Sequence, residues 1–348
     1  MGTSQVAPIL LGLAISACAK PPPPSTAAVA PHAPSTVAAG ADAGCGSGKR
    51  MKVHFYDVGE GLAALVDLPD GRHVLVDAGN SPRRPGCDMC SVEDEHLLRR
   101  MSIDLGQAPI DLVWMTHQTS DDLGGAPGVL STFKVGTYVD NGRDLEEAEV
   151  RKARAVAQQR GVAVRVVDPD HRSSPIADSA DVKFHAVLPA VWPLACAHNP
   201  DECSIGLRID FCASSILFMG DAEHEEDAVL DPGGPVTLLQ VAHHGSETTT
   251  TLDFLAQAKP RYAVISAGKP GDGPNRGLCN PRARLVERLT EALGGPGASS
   301  LTAFPGGRCE HAKDASWVSV PASDRLWATE RDGDVVLATS GDGAFTRQ

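Results

Sequence analysis

Three polar clusters, each closing a hydrophobic run of strand character, constrain this chain more than any other feature. They are Thr116-His117-Gln118-Thr119-Ser120-Asp121-Asp122-Leu123-Gly124-Gly125 behind DLVWM, Met219-Gly220-Asp221 closing SILFM, and Ala242-His243-His244-Gly245-Ser246 closing TLLQVA. Strand ends that share one sheet edge let polar residues from distant parts of a sequence meet. Neutral imidazoles and ionised carboxylates ligate metals, so a loop of alternating His and Asp can direct its side chains at one or two ions. An ordinary role is also open to each residue. His117, His243 and His244 can serve as structural hydrogen-bonding groups, Asp121 and Asp122 as caps of the next turn, and Asp221 as a hairpin end.

The surrounding pattern supplies the strands such an edge needs. KVHFYDV, LAALVDL and RHVLVDAG read as strands, the last two parted by the turn Pro69-Asp70-Gly71. VAVRVV, VKFHAVL, GLRIDF and YAVISAG follow, interleaved with helical composition over Glu93–Leu105, Glu146–Arg160, Leu252–Ala258 and PRARLVERLTEAL. Alternation of this kind predicts a layered α/β architecture. Glu223, Glu225, Glu226 and Asp227 read as a solvated helix face. Ser246 reads as a cap or phosphate contact, because no third group completes a triad.

The amino-terminal part is of another kind. Met1 to Ala19 carries no charge, and its apolar core ends at Ile15-Ser16-Ala17-Cys18. Small residues before a cysteine resemble a bacterial lipobox, although no Lys or Arg precedes the core as in an ordinary secretory n-region. PPPPSTAAVAPHAPSTVAAGADAGCGSG then lacks apolar periodicity and reads as a disordered tether. The expected organisation is a lipoprotein-type signal segment at 1–18, a Pro/Ala-rich tether at 19–49 and a folded domain at 50–348. Lipid on Cys18 would anchor that domain outside the cytoplasm, at the periplasmic or cell surface.

Eight cysteines remain after Cys18, and an even set in an exported protein points to disulfides. For Cys87-Asp-Met-Cys90 a disulfide is the expectation, against half a zinc knuckle or a redox pair. The 31 Lys+Arg against 44 Asp+Glu give a formal charge of −13, which excludes broad electrostatic coating of nucleic acid or anionic lipid. No uncharged apolar stretch reaches the ~20 residues of a membrane-spanning helix.

Taken in order, the landmarks resemble the metallo-β-lactamase-fold proteins of the ComEC type, the extracytoplasmic domain of competence DNA-uptake proteins and their free-standing relatives. They are FYDVGEG at 55–61, VLVDAGN at 74–80, THQTSDDLGG at 116–125, SIGLRIDF with ILFMGDAEHEED at 204–227, and LLQVAHHGSETTTT at 238–251. AVISAG at 263–268, CNPRARLVERL at 279–289 and ATERDGDVVLAT at 328–339 complete the set. The resemblance implies a four-layer αβ/βα sandwich and a site of His117, Asp121, Asp122, Asp221, His243 and His244 holding one or two divalent ions, zinc or manganese. It casts His117, Asp121 and His244 as catalytic, and Asp77 as a support of the loop.

The chain also departs from that pattern. Thr119 replaces the second ligand of the loop and Asp122 its last His, Asn280 stands where a Gly-His-Pro His falls, and Glu60 and Leu62 stand where relatives often carry Gln and Asp. The remaining set is rich in oxygen and leans toward manganese or magnesium, or one weakly held zinc. An intact site would lower the pKa of a bound water toward ~7 and polarise a phosphoryl or carbonyl oxygen. The resemblance therefore implies an exported phosphodiesterase or nuclease-like hydrolase, with Arg83 and Arg84 or Arg282, Arg284 and Arg288 to receive phosphate. A degenerate binding module at the cell surface is the alternative, and β-lactam or lactone hydrolysis a third possibility.

Overall fold

Parallel and antiparallel pairing divide the strands into two large sheets, whose layout follows from the alternation of their side chains. The computed structural model describes residues 1–2, 45, 48–143, 148–307, 309 and 316–348. The expected signal segment with Cys18, and most of the expected tether, lie outside the described residues. The unit considered below spans Asp42–Gln348.

Its first half comprises β1 (Met51–Phe55), β2 (Ala64–Asp67), β3 (His73–Val76), helix α1 (Cys90–Leu105), β4 (Ile110–Trp114), α2 (Ala126–Thr132), β5 (Val135–Asp140), α3 (Ala148–Gln159) and β6 (Ala163–Val166). The second half runs β7 (Val182–Val187), β8 (Gly206–Phe211), β9 (Ser214–Phe218), α4 (His224–Asp227), β10 (Leu238–Gln240), α5 (Leu252–Ala258) and β11 (Tyr262–Ile265). Then come α6 (Asn275–Leu278), α7 (Ala283–Ala292), β12 (Ser299–Ala303), β13 (Val318–Ala322), β14 (Leu326–Ala328), α8 (Thr329–Asp332), β15 (Val335–Thr339) and β16 (Thr346–Arg347). One sheet has the order β16-β15-β1-β2-β3-β4-β5-β6 and the other β14-β11-β10-β9-β8-β7, while β12 and β13 form a separate ribbon.

Successive strand residues point to opposite faces, and this sorts the core into three clusters. Val53, Phe55, Val74, Val76, Leu112 and Trp114 of the first sheet pack with Phe184, Ile209, Phe211, Ile216 and Phe218 of the second. The other face of the first sheet, with Leu65, Leu75 and Val113, is covered by Leu97 and Met101 of α1, Val129 and Leu130 of α2, and Val150 and Ala153 of α3. Leu217, Leu239, Ala263 and Ile265 on the far face of the second sheet meet Phe254 and Leu255 of α5 and Leu285, Val286 and Leu289 of α7. Helix, sheet, sheet, helix: this is the four-layer αβ/βα sandwich the sequence implied.

Two elements escape the sequence pattern for physical reasons. Strand β5 contains Gly136, a poor strand former, but a Cβ there would lie 2.8 Å from the Asp111 carbonyl oxygen, so the close strand approach requires glycine. Helix α2 carries Pro127 and Gly128 in its first turn, which hides it from propensity although the proline suits that position. Cysteines expected to form disulfides do so: Cys45–Cys212, Cys87–Cys90, Cys196–Cys203 and Cys279–Cys309. Among the described residues no helix is long and apolar enough to cross a membrane.

What positions the site is the direction of β3, β4, β9, β10 and β11, whose parallel pairs bring several carboxyl ends to one edge. The two sheets are tied there: Ile205 N–H donates to the Thr116 carbonyl at 2.7 Å, and the Trp114 indole N–H to the Ile205 carbonyl at 2.8 Å. Trp114 is fully buried between the sheets. Trp114→Ala removes both that volume and the indole donor, and is expected to cost about 3–5 kcal/mol of stability, read as a lower midpoint in urea unfolding.

Candidate metal centre

The turn after β3 begins with Asp77, buried and in the left-handed region at φ 57. Its carboxylate accepts the Thr116 N–H at 2.8 Å and the Thr116 hydroxyl at 2.7 Å, so it holds the loop after β4 in place, the supporting role expected of it. With its proton given to Asp77, the Thr116 oxygen accepts from His117 Nδ1–H at 3.0 Å. That fixes the tautomer and leaves Nε2 of His117 as a lone pair facing inward. Thr119 donates its hydroxyl to this nitrogen at 2.6 Å. Burial lowers the His117 pKa against the opposing pull of Asp221 and Asp121, which keeps the imidazole neutral.

From the second sheet, Asp221 follows β9, and His243 and His244 follow β10. Both histidines occupy the left-handed region, at φ 49 and 52, a backbone strain of the kind that marks functional sites. His244 donates Nδ1–H to the Ser266 carbonyl at 2.9 Å, which aims Nε2 at Asp221 Oδ2, 3.4 Å away, and Asp122 Oδ2, 3.9 Å away. His243 Nδ1 meets Glu223 Oε1 at 3.0 Å, and its Nε2 lies 3.8 Å from Asp221 Oδ2. Glu223 is itself held by Asn199 and Thr248.

The electrostatics follow from burial. Asp122 is fully buried and its pKa is raised well above the carboxylate range by desolvation and by the charge of Asp221. Burial pushes Asp221 the same way, but His244, His243 and His117 outweigh it and hold it ionised. Burial would lower both late histidines; instead Asp221, with Asp122, raises His244 well above its usual value, and Asp221, with Glu223, pushes His243 up to about 9.

Three buried atoms at the centre have no hydrogen-bond partner among the described residues: Asp122 Oδ2, Asp221 Oδ1 and His244 Nε2. Ligand atoms of these same three residues lie within 4.8 Å of one another. Buried polar atoms left unsatisfied are costly, and two carboxylate oxygens with one imidazole nitrogen are the donors a divalent cation takes. The residues present fit a metal ion.

The structure thus gathers His117, Asp122, Asp221, His243 and His244. Asp121 stands at the side of the group, its carboxylate 3.3 Å from the Arg84 guanidinium, and it belongs to none of the clusters whose donor atoms close on a common point. Asn280 directs its amide N–H at Glu60 Oε1, 3.0 Å away, so these two departures from the family pattern form one buried pair. Of the solvated face expected of Glu223, Glu225, Glu226 and Asp227, Glu225 is exposed as expected and the other three are corrected. Glu226 is buried and accepts the Ser204 N–H, Asp227 is buried and accepts the Thr251 N–H, and Glu223 faces His243. Asp201, absent from the sequence expectations, joins His117 and Asp221 in a second cluster and Glu223 and His243 in a third.

Of the cationic residues expected to receive phosphate, Arg282 donates to the Leu278 and Gly307 carbonyls and Arg288 to those of Thr249 and Thr250, whereas Arg84 lies at the site. A cavity of about 430 Å³ opens on the far side of Glu60, where Asp57, Glu93, Asp272 and Asp334 outnumber Lys269 and Arg99. Such a wall repels a polyanion.

This sandwich, with its His/Asp cluster at the shared strand edge, defines a class. The family model of the Metallo-beta-lactamase superfamily matches residues 56–269, and the chain belongs to that superfamily. Within it the chain is similar to competence proteins. It is 28% identical over 248 residues to ComE operon protein 3 of Bacillus subtilis (strain 168), covering 68% of this chain and 30% of that protein. It is likewise 28% identical over 222 residues to Recombination protein 2 of Haemophilus influenzae, covering 63% and 24%. The chain therefore spans less than a third of the length of these curated relatives. Among solved structures it is similar in fold to the metallo-beta-lactamase fold protein YhfI from Bacillus subtilis (14% identity, TM-score 0.36, 55% of this chain and 70% of that one). A diphosphatase of the PhnP family gives 16% identity and a TM-score of 0.36, over 61% and 85%.

A metal ion must displace the proton that Asp221 and Asp122 hold on His244. Because that pKa is raised well above the ordinary histidine value, the proton is bound below it and leaves as pH rises, so metal affinity is expected to climb with pH through neutrality and beyond. Manganese titrations by calorimetry at three pH values, with proton release followed in two buffers, measure this directly; an affinity flat with pH would count against it.

Proposed function

We propose that this chain is an exported, metal-dependent hydrolase that cleaves phosphodiesters, in a nuclease-like manner. The observation that carries it is the trio of orphaned buried atoms on Asp122, Asp221 and His244. When bound there, a divalent ion supplies Lewis-acid polarisation of a phosphoryl oxygen and a lowered pKa for water. The chain's own residues do the rest. Ser266 orients His244 and Asp77 orients the loop carrying His117, so the donors need little rearrangement. His243, held by Glu223 and with an imidazole partly open to solvent, is offered as the group that gives a proton to a departing alkoxide. Arg84 is placed to meet a phosphate oxygen once it turns from Asp121.

The competence proteins among its relatives support nucleic acid as the substrate, and the net charge of −13 argues that the strand is gripped locally rather than along a broad surface. Manganese, or zinc held more weakly, is the ion proposed for this oxygen-rich set. His244→Ala is expected to lower hydrolysis of bis-p-nitrophenyl phosphate and of linear DNA by at least about a hundredfold and to reduce bound metal, while circular dichroism stays unchanged. Wild-type protein that holds metal yet turns over neither substrate, nor a cyclic dinucleotide, would rule the activity out.

Disulfides pairing eight cysteines support an oxidising compartment, and we assign membrane attachment to lipid on Cys18. Cys18→Ser is expected to move the protein from the membrane to the soluble extracytoplasmic fraction, followed by fractionation and immunoblotting.

A further inference from the structure

The loop after β4 has lost a ligand at Thr119, yet the opposite half of the molecule places a carboxylate at the same nitrogen that ligand would have accompanied. Asp201 Oδ1 lies 3.6 Å from His117 Nε2, and Asp221 Oδ2 lies at the same 3.6 Å. These separations are too long for hydrogen bonds. They are close to the edge, about 3.4 Å, of a tetrahedron of donors around an ion with bonds of about 2.1 Å. His117 is fully buried, Asp221 is 2% exposed and its other oxygen, Oδ1, has no hydrogen-bond partner among the described residues, and ligand atoms of all three residues lie within 4.8 Å of one another. Asp221 belongs both to this set and to the set with Asp122 and His244.

We propose that Asp201, with His117 and Asp221, completes the second of the two divalent-cation positions the resemblance allows, supplying the ligand that the loop lacks at Thr119. The proposal rests on the first position at Asp122, Asp221 and His244. Local structure favours it. Asp201 sits in the short turn Pro200–Cys203, bracketed by the Cys196–Cys203 disulfide. Its N–H is capped by Asn199 Oδ1, its carbonyl accepts the Ser204 hydroxyl, and the Cys203 carbonyl accepts the Asn141 amide. The carboxylate is therefore carried on a braced turn rather than a free loop. The Thr119 hydroxyl that meets His117 Nε2 turns away by rotation about χ1, a change between ordinary staggered positions. With two carboxylates to one imidazole, the position favours manganese over zinc.

The test is ion stoichiometry on the whole chain, by calorimetric titration with manganese alone and by elemental analysis after gel filtration, with thermal unfolding of the metal-free form as a check on fold. Wild type is expected to bind two equivalents. Asp201→Asn, which keeps the shape of the turn, is expected to weaken the second by at least about tenfold and to leave the first within about twofold. Asp201→Asn combined with Thr119→His is expected to regain the second equivalent. Two equivalents of undiminished affinity in Asp201→Asn, or a double variant that stays at one, overturn the assignment of Asp201. One equivalent in wild type overturns the second position but not the proposed function; no binding at all overturns both.

Discussion

Carboxylates taken out of water govern this molecule. Asp77, Asp122 and Asp221 are buried close together at the meeting edge of two sheets, and each ionised group removed from water costs several kcal/mol unless it is neutralised and hydrogen-bonded. Asp77 meets that demand in part through Thr116, but burial outweighs those hydrogen bonds and raises its pKa well above the usual carboxylate value. Asp122 and Asp221 do so incompletely: each keeps an oxygen with no partner among the described residues, and three imidazoles surround Asp221. Positive charge is therefore required at this edge, as protons on His243 and His244 or as a cation in their midst. An edge so arranged favours positive charge, which is the physical basis for treating it as a candidate metal centre.

The framework is built to sustain that demand rather than relax it. His243 and His244 occupy backbone conformations seldom taken by side chains with a Cβ, and a β10 followed by a relaxed turn would point them elsewhere. The strain is sustained by ordinary packing around it: Gln240 accepts the N–H groups of Met219 and Gly220 at one end of the turn, and the Arg282 N–H donates to the Gly245 carbonyl at the other. The sheets that carry the two halves are locked through Trp114 and Ile205. Donor atoms at fixed separations are thus inherited from two rigid sheets.

How much of this the sequence disclosed depends on what kind of signal each part leaves. Strand alternation is a strong signal, and a layered α/β architecture with Thr116-His117, Gly220-Asp221 and His243-His244 at strand ends able to meet was legible from it, whereas the four-layer sandwich was implied by the resemblance of the ordered landmarks. Gly136 and Pro127 hid β5 and α2, because a residue selected for close approach or for a first turn looks like a breaker when read by propensity. Asp201 was not legible for a different reason: it lies in a turn, N-P-D-E-C, with no periodicity to place it. The two cysteines at 196 and 203 were its trace, since a short disulfide loop fixes whatever it contains. Glu226 and Asp227 were misplaced because a run of acids resembles a solvated face, whereas here their carboxylates accept backbone N–H groups of Ser204 and Thr251.

The departures from the family pattern are not independent losses. Glu60 and Asn280 lie 220 residues apart and meet in one buried hydrogen bond, and Glu60 also accepts the Gly268 N–H. Burial raises Glu60 to about 7, an effect its partners only temper, so an apolar or cationic residue at 280 would leave a different balance at the same edge. Here the replaced residues at 60 and 280 hydrogen-bond to each other, and the nitrogen beside Thr119 faces a carboxylate from the opposite sheet. Changed residues that still satisfy one another keep this buried edge internally consistent.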